Sequence, residues 1–284
     1  MGGGTYSSSI RDVRATASDL YSKSSQEIFS KSVNNAMDPF NLVVRESRDS
    51  VEHPNSAPII IALDLTGSMG SIPLYLVKQG LPKMMDLIIK KGIPDPQVLF
   101  TGVGDHECDK SPLQVGQFES SDELLDKWLT DIFLEGGGGG NEGESYLLAW
   151  YLAARHTSTD SFEKRGKKGI LFTIGDEPTL KTLPARTLKN IMGEGEFKDY
   201  TAQELLDLAS KTYEVFHIHF TSTRNGSMVS TQSGWAQLLG PRCLFANNPD
   251  EVATIIADKV VEHFSTSKIS KQTSTSIDKE EFML

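Results

Sequence analysis

Apolar and polar positions divide the chain into short runs and longer periods that alternate. Six short runs, at residues 59–64, 98–103, 113–118, 170–174, 215–220 and 243–245, are rich in Ile, Leu, Val and Phe and bounded by turn residues. Runs of this length predict strands, and those apolar at nearly every position predict strands covered on both faces. Between the runs, apolar positions recur every three or four residues, which predicts helices. The first covers residues 73–90, with Pro73 suited to a first helical turn and Pro82 predicting a kink or break. The second covers 121–133, where Leu124, Leu125, Trp128, Leu129 and Ile132 make one stripe. Others are predicted at 144–155, 202–212 and 249–264. The last is introduced by Asn248, Pro249 and Glu251: a cap, a first-turn proline and an early acid.

Strand and helix in alternation predict an α/β domain over residues 57–265, a doubly wound and mainly parallel six-stranded sheet with helices on both faces. Residues 1–56 are polar and Ser-rich, with an amphipathic stretch at 33–44 and the charged run Arg45, Glu46, Arg48 and Asp49. They are expected to pack on the domain as an N-terminal extension. Residues 266–284 are polar and patternless, the composition of a disordered tail.

Composition narrows the function classes. The 284 residues fit one domain with short extensions. A formal net charge of −10 repels phosphate backbones and anionic lipid, so neither nucleic acid nor a membrane surface is expected as the main partner. No apolar run approaches the ~20 residues that cross a bilayer. The first residues lack the basic start and apolar middle of a signal peptide, and Tyr6 stands where a myristoylation signal needs Ser or Thr. Cys108 and Cys243 have neither disulfide-framework nor zinc spacing, so a reducing cytoplasm is the expected location.

In an open parallel sheet, ligands bind beyond the carboxyl ends of the strands, so the loops after the apolar runs carry the chemistry. The first such loop reads Asp64-Leu65-Thr66-Gly67-Ser68-Met69-Gly70. A carboxylate and two hydroxyls at alternate positions, in a chain that glycine lets turn tightly, make an oxygen set for a hard cation such as Mg²⁺. The plainer reading is a strand-end Asp that caps a helix.

This segment resembles the DxSxS core of the metal-ion-dependent adhesion site of von Willebrand factor type A domains, with Thr66 in place of the first serine. The order of elements over residues 58–264 resembles that Rossmann-like fold throughout, in the single-domain form of bacterial or phage-like members. The loop at 136–145 opens an apolar helix with five glycines but lacks the Gly-Lys-Ser/Thr ending of a phosphate-binding loop. It is similar to the family's second metal loop in the subgroup where glutamate replaces threonine. Glu144 is then the metal ligand, with Glu142 and Ser145 as alternatives; an acidic helix start is the simpler account. After the run at 170–174, Asp176 falls in the slot of the family's third metal-contacting aspartate. Gly175 stands where threonine is usual, and Glu177 follows.

The resemblance therefore implies a metal set of Asp64, Thr66, Ser68, Glu144 and Asp176. It would hold one Mg²⁺, Mn²⁺ or Ca²⁺ with a position open for an Asp or Glu of a partner protein. Asp105, His106 and Glu107 lie in a loop at the same edge without HExxH or Cys/His spacing, and are expected to support rather than to ligate. His217 and His219 alternate on one strand and are expected to be structural. The competing functions are a hydrolase using metal-activated water, with a base drawn from 105–107, and a structural component of a bacterial or phage assembly whose metal only stiffens the loops.

Overall fold

The computed structural model describes residues 4–136 and 143–277, with side chains described through residue 265. Six strands form the central sheet: β1 (Ala57–Asp64), β2 (Pro96–Val103), β3 (Leu113–Glu119), β4 (Gly169–Gly175), β5 (Tyr213–Phe220) and β6 (Cys243–Ala246). Their order is β6-β5-β4-β1-β2-β3, parallel except for the antiparallel β2–β3 pair at one edge. The α/β class, the six strands and the mainly parallel pairing agree with the reading of the sequence.

Residues of β1 alternate between two cores, because successive side chains of a strand face opposite ways. Ile59, Ile61 and Leu63 join the layer formed by helices α2 (Ile72–Tyr75), α3 (Leu81–Lys90), α4 (Asp122–Thr130) and α9 (Pro249–Ile277). Ile60 and Ala62 face the layer of α5 (Leu147–Arg155), α6 (Ala185–Met192), α7 (Ala202–Ala209) and α8 (Val229–Leu239). Asp64 follows in the second register. Among the described residues no helix is long and apolar enough to cross a membrane.

The break expected near Pro82 is present, one helix start needs correction, and two helices were not anticipated. The helix predicted at 73–90 is interrupted before Pro82, by a π-helical turn over Leu76–Gly80. Pro82 has no N–H to donate back along the helix, and here it sits in the first turn of α3, where none is needed. The helix predicted from Glu144 begins at Leu147, because Glu144 is held in a parallel β-bridge with Thr179. Helices α6 and α8 were not anticipated. The helix begun at Pro249 runs to Ile277.

The N-terminal segment contributes α1 (Ser8–Ala17) and a one-turn helix at Ser25–Ile28; α1 lays the wholly buried Arg11 against Asp126 of α4 at 2.9 Å and against the Val77 carbonyl of the π-turn. Arg45–Ser47 pairs in parallel with Thr157–Thr159. Arg48 and Arg165 then tie the segment down through Asp160 and Asp49.

Candidate metal centre

The centre is assembled at the carboxyl ends of β1 and β4, neighbours in the sheet. Asp64 closes β1 with its side chain fully buried. Its Oδ1 accepts hydrogen bonds from the Thr66 backbone N–H (2.9 Å) and hydroxyl (2.6 Å), which folds the loop back over the strand end. Thr66 Oγ1 lies 3.1 Å from Ser68 Oγ, and Ser68 Oγ donates to Asp176 Oδ1 at 2.8 Å. Asp64, Thr66, Ser68 and Asp176 thus form one continuous string of oxygens. Thr66 is buried, whereas Ser68 is exposed and gives the string its open side.

The proton count in this string is informative. Two hydroxyls carry two protons, but three oxygen–oxygen contacts run through them, and the outer two end on carboxylates that accept only. If both protons point outward, the Thr66–Ser68 contact brings lone pairs together. Two oxygens so arranged fit a shared cation better than they fit each other.

Tyr146 was missed in the sequence. Its buried hydroxyl donates to Asp64 Oδ2 at 2.6 Å, and its ring packs edge-on to His217 and Trp235 at centroid distances of 5.2 and 5.4 Å. This explains Gly175, because a Cβ at that position would collide with the Tyr146 hydroxyl. The departure from threonine is thus one half of a matched pair. The signal available in the sequence was an aromatic hydroxyl two residues beyond the proposed ligand Glu144.

Glu144 reaches this edge on the β-bridge. Its N–H donates to Pro178 O (2.9 Å), and its carbonyl accepts from Leu180 N–H (3.2 Å). Gly143 allows the approach, since a Cβ there would sit 2.6 Å from Pro178 O. The Glu144 side chain is buried. Its Oε2 and Asp176 Oδ2 are both buried without a hydrogen-bond partner among the described residues. Burial, joined by the charges of Asp64, Asp105, Asp109 and Glu177, pushes the Glu144 carboxyl well above its ordinary range. Burial likewise raises Asp64, with the Asp176 charge adding to it, despite the hydrogen bonds from Thr66 and Tyr146 that favour its ionised form. The ion pairs of the described residues all lie elsewhere.

The other sequence candidates take supporting places. The Ser145 hydroxyl is committed to the neighbouring loop: it accepts from His106 N–H (3.0 Å) and contacts His106 Nδ1 (2.7 Å). Asp105 is buried and its Oδ1 caps Glu107 N–H at 2.9 Å. His217 is buried against Trp235 in a stacked pair with ring centroids 3.5 Å apart, and hydrogen-bonds Thr173; buried His219 bonds the Gly226 carbonyl. Both are structural. Glu142 lies outside the described residues. Among the described residues no group of three or more His, Cys, Asp and Glu side chains is arranged to hold a metal by itself. The candidate set therefore depends on its hydroxyls.

No family model matches the chain, and no curated protein matches it. Among solved structures it is similar to the pilus adhesin SpaC from Lactobacillus rhamnosus GG in its open conformation, at 11% identity and a TM-score of 0.49, over 78% of this chain and 31% of that one. It is also similar to proximal thread matrix protein 1 from the mussel byssus, solved with a zinc-occupied MIDAS motif, at 13% identity and TM-score 0.44, over 76% of this chain and 48% of that one. The vWF domain of the type V pili tip protein Mfa5 from Porphyromonas gingivalis aligns at 9% identity and TM-score 0.47, over 75% of this chain and 96% of that one. The chain thus spans less than half the length of the adhesin and of the thread matrix protein.

Proposed function

We propose that this chain is a von Willebrand factor type A module that binds another protein through one divalent cation, Mg²⁺ in the first instance and Mn²⁺ or Ca²⁺ by the same chemistry. Asp64, Thr66, Ser68, Glu144 and Asp176 would hold the ion. The observation that carries the reading is the string of oxygens from Asp64 through Thr66 and Ser68 to Asp176, with Asp176 Oδ2 and Glu144 Oε2 buried and unpartnered and no ion pair to any of these acids among the described residues. Burying such charges is costly unless something positive accompanies them. A hard cation supplies that charge and, with neutral hydroxyls among its ligands, retains affinity for one more carboxylate.

The chain's own residues do the rest. Tyr146 orients Asp64 from below, the Glu144–Thr179 bridge fixes the second loop, and exposed Ser68 leaves one side open to an Asp or Glu of the partner. A binder is favoured over a hydrolase because the loop that would supply a general base is engaged in bracing: His106 Nδ1 faces Ser145, and Asp105 caps its own loop. The free thiols Cys108 and Cys243 favour work in a reducing compartment, the cytoplasm. The test is affinity capture with and without EDTA, wild type against Thr66→Ala. Capture should need both metal and the hydroxyl. A partner retained equally in EDTA would overturn the reading.

A further inference from the structure

A groove of about 520 Å³ lies on the α7/α8 side of the sheet, outside the candidate metal set. Its size is that of a small-molecule pocket. Its wall combines Pro178, Leu180, Trp235 and Leu238 with a few polar groups, and no carboxylate lines it, although the chain carries a net charge of −10. Two of those polar groups lack partners. The Thr179 hydroxyl is buried without a hydrogen bond among the described residues, and Lys181, exposed at the rim, takes part in none of their ion pairs. Trp235, buried and stacked on His217, donates its Nε1–H to Glu177 O at 2.9 Å and backs the groove from beneath, while half-buried Leu180 and Leu238 supply its open apolar surface.

Gly234 supplies the independent observation. It lies in the interior of α8, where glycine weakens a helix relative to alanine. Neither usual reason for a glycine applies: its φ is not in the left-handed region, and a Cβ built there meets nothing within 4 Å. The missing side chain leaves the mouth of the groove open.

We infer that this groove binds a small apolar carboxylate, its hydrocarbon part over Trp235, Leu180 and Leu238 and its anionic end at Lys181. An acid-free apolar wall with one uncompensated ammonium selects that charge over its opposite.

Calorimetry with decanoate, and with decylamine as the chain of equal length and opposite charge, tests this. Decanoate should bind once per chain, with decylamine at least tenfold weaker. Lys181→Glu, at an exposed position, should weaken decanoate about tenfold, the loss of one charge-assisted contact. Gly234→Leu should abolish binding by filling the mouth, with a melting temperature no lower than wild type because helix propensity improves. No binding to wild type, equal binding of the two amphiphiles, or decanoate affinity unchanged in both variants would overturn the assignment. Should Gly234→Leu not fold, the amine comparison and Lys181→Glu decide the matter alone.

Discussion

Buried acids occur in two regions of this molecule, and the two are treated in opposite ways. Where the N-terminal segment meets the domain, buried and half-buried acids are paired with bases: Asp126 with Arg11 and Arg14, Asp122 with Arg14, Asp160 with Arg48 and Lys164, Asp49 with Arg165. At the carboxyl edge of β1 and β4, Asp64, Glu144 and Asp176 are at least as deeply buried and none has a basic partner among the described residues. The chain thus contains the means to neutralise buried carboxylates and does not apply it at the top edge. A bound cation, as proposed, would account for that difference.

Breaking a pair in the first region should have the largest effect. Arg11→Ala leaves Asp126 to Arg14 alone, frees the Val77 carbonyl of the π-turn and empties the space of a wholly buried side chain, and should cost about 3 kcal/mol, read from urea unfolding. Next comes the response to metal, which only the second region should show. Mg²⁺ at a hundredfold excess over Kd should stabilise wild type by about 2.7 kcal/mol, while Asp64→Ala gains nothing.

A smaller change sharpens the contrast through its sign. Glu144→Gln removes an acid that burial and its acidic neighbours push well above its ordinary range, a cost to the metal-free fold, so in EDTA it should raise stability by about 1 kcal/mol and in Mg²⁺ lower it. A loss of stability in both conditions would show that Glu144 is paired in a way the geometry does not reveal. The smallest effect is acid loosening of the N-terminal segment. Burial pushes Asp160 up, but hydrogen bonds from Lys164, the Asp49 backbone and Arg48 outweigh it and hold the carboxyl at about 2, below its ordinary 3.8. A depressed carboxyl contributes stability above its unfolded pKa that is lost as pH falls through the folded one. Amide exchange around Arg45–Ser47 should therefore accelerate between pH 4 and 2, beyond the intrinsic pH dependence of exchange, before the central sheet opens.

How much of this was legible in the sequence follows from which forces act locally. All six strands could be read because their apolar runs answer to burial on two faces, and the cap at Asn248 could be read because its Oδ1 accepts from Glu251 N–H as predicted, at 3.2 Å. Helix α8 could not, since its Ser, Thr, Gln and Gly content hides a stripe of only Thr231, Trp235 and Leu239, four residues apart. Periodicity without hydrophobic contrast gives no signal. The Asp64 loop announced itself through alternate oxygens in consecutive residues. The start of the helix after Glu144 was misplaced because a β-bridge to Thr179, a contact made in three dimensions, overrides an acidic helix-start pattern. Tyr146 and Gly175 were opaque for the same reason: each explains the other only once β4 and α5 are packed together.

The most direct measurement is calorimetric titration of the metal-free protein with Mg²⁺, wild type beside Asp64→Ala. Wild type should bind one ion per chain and Asp64→Ala none, with the far-UV circular dichroism of both unchanged. Equal binding by the two proteins, or no binding by wild type, would contradict the claim that the unpaired acids at the top edge are a cation site.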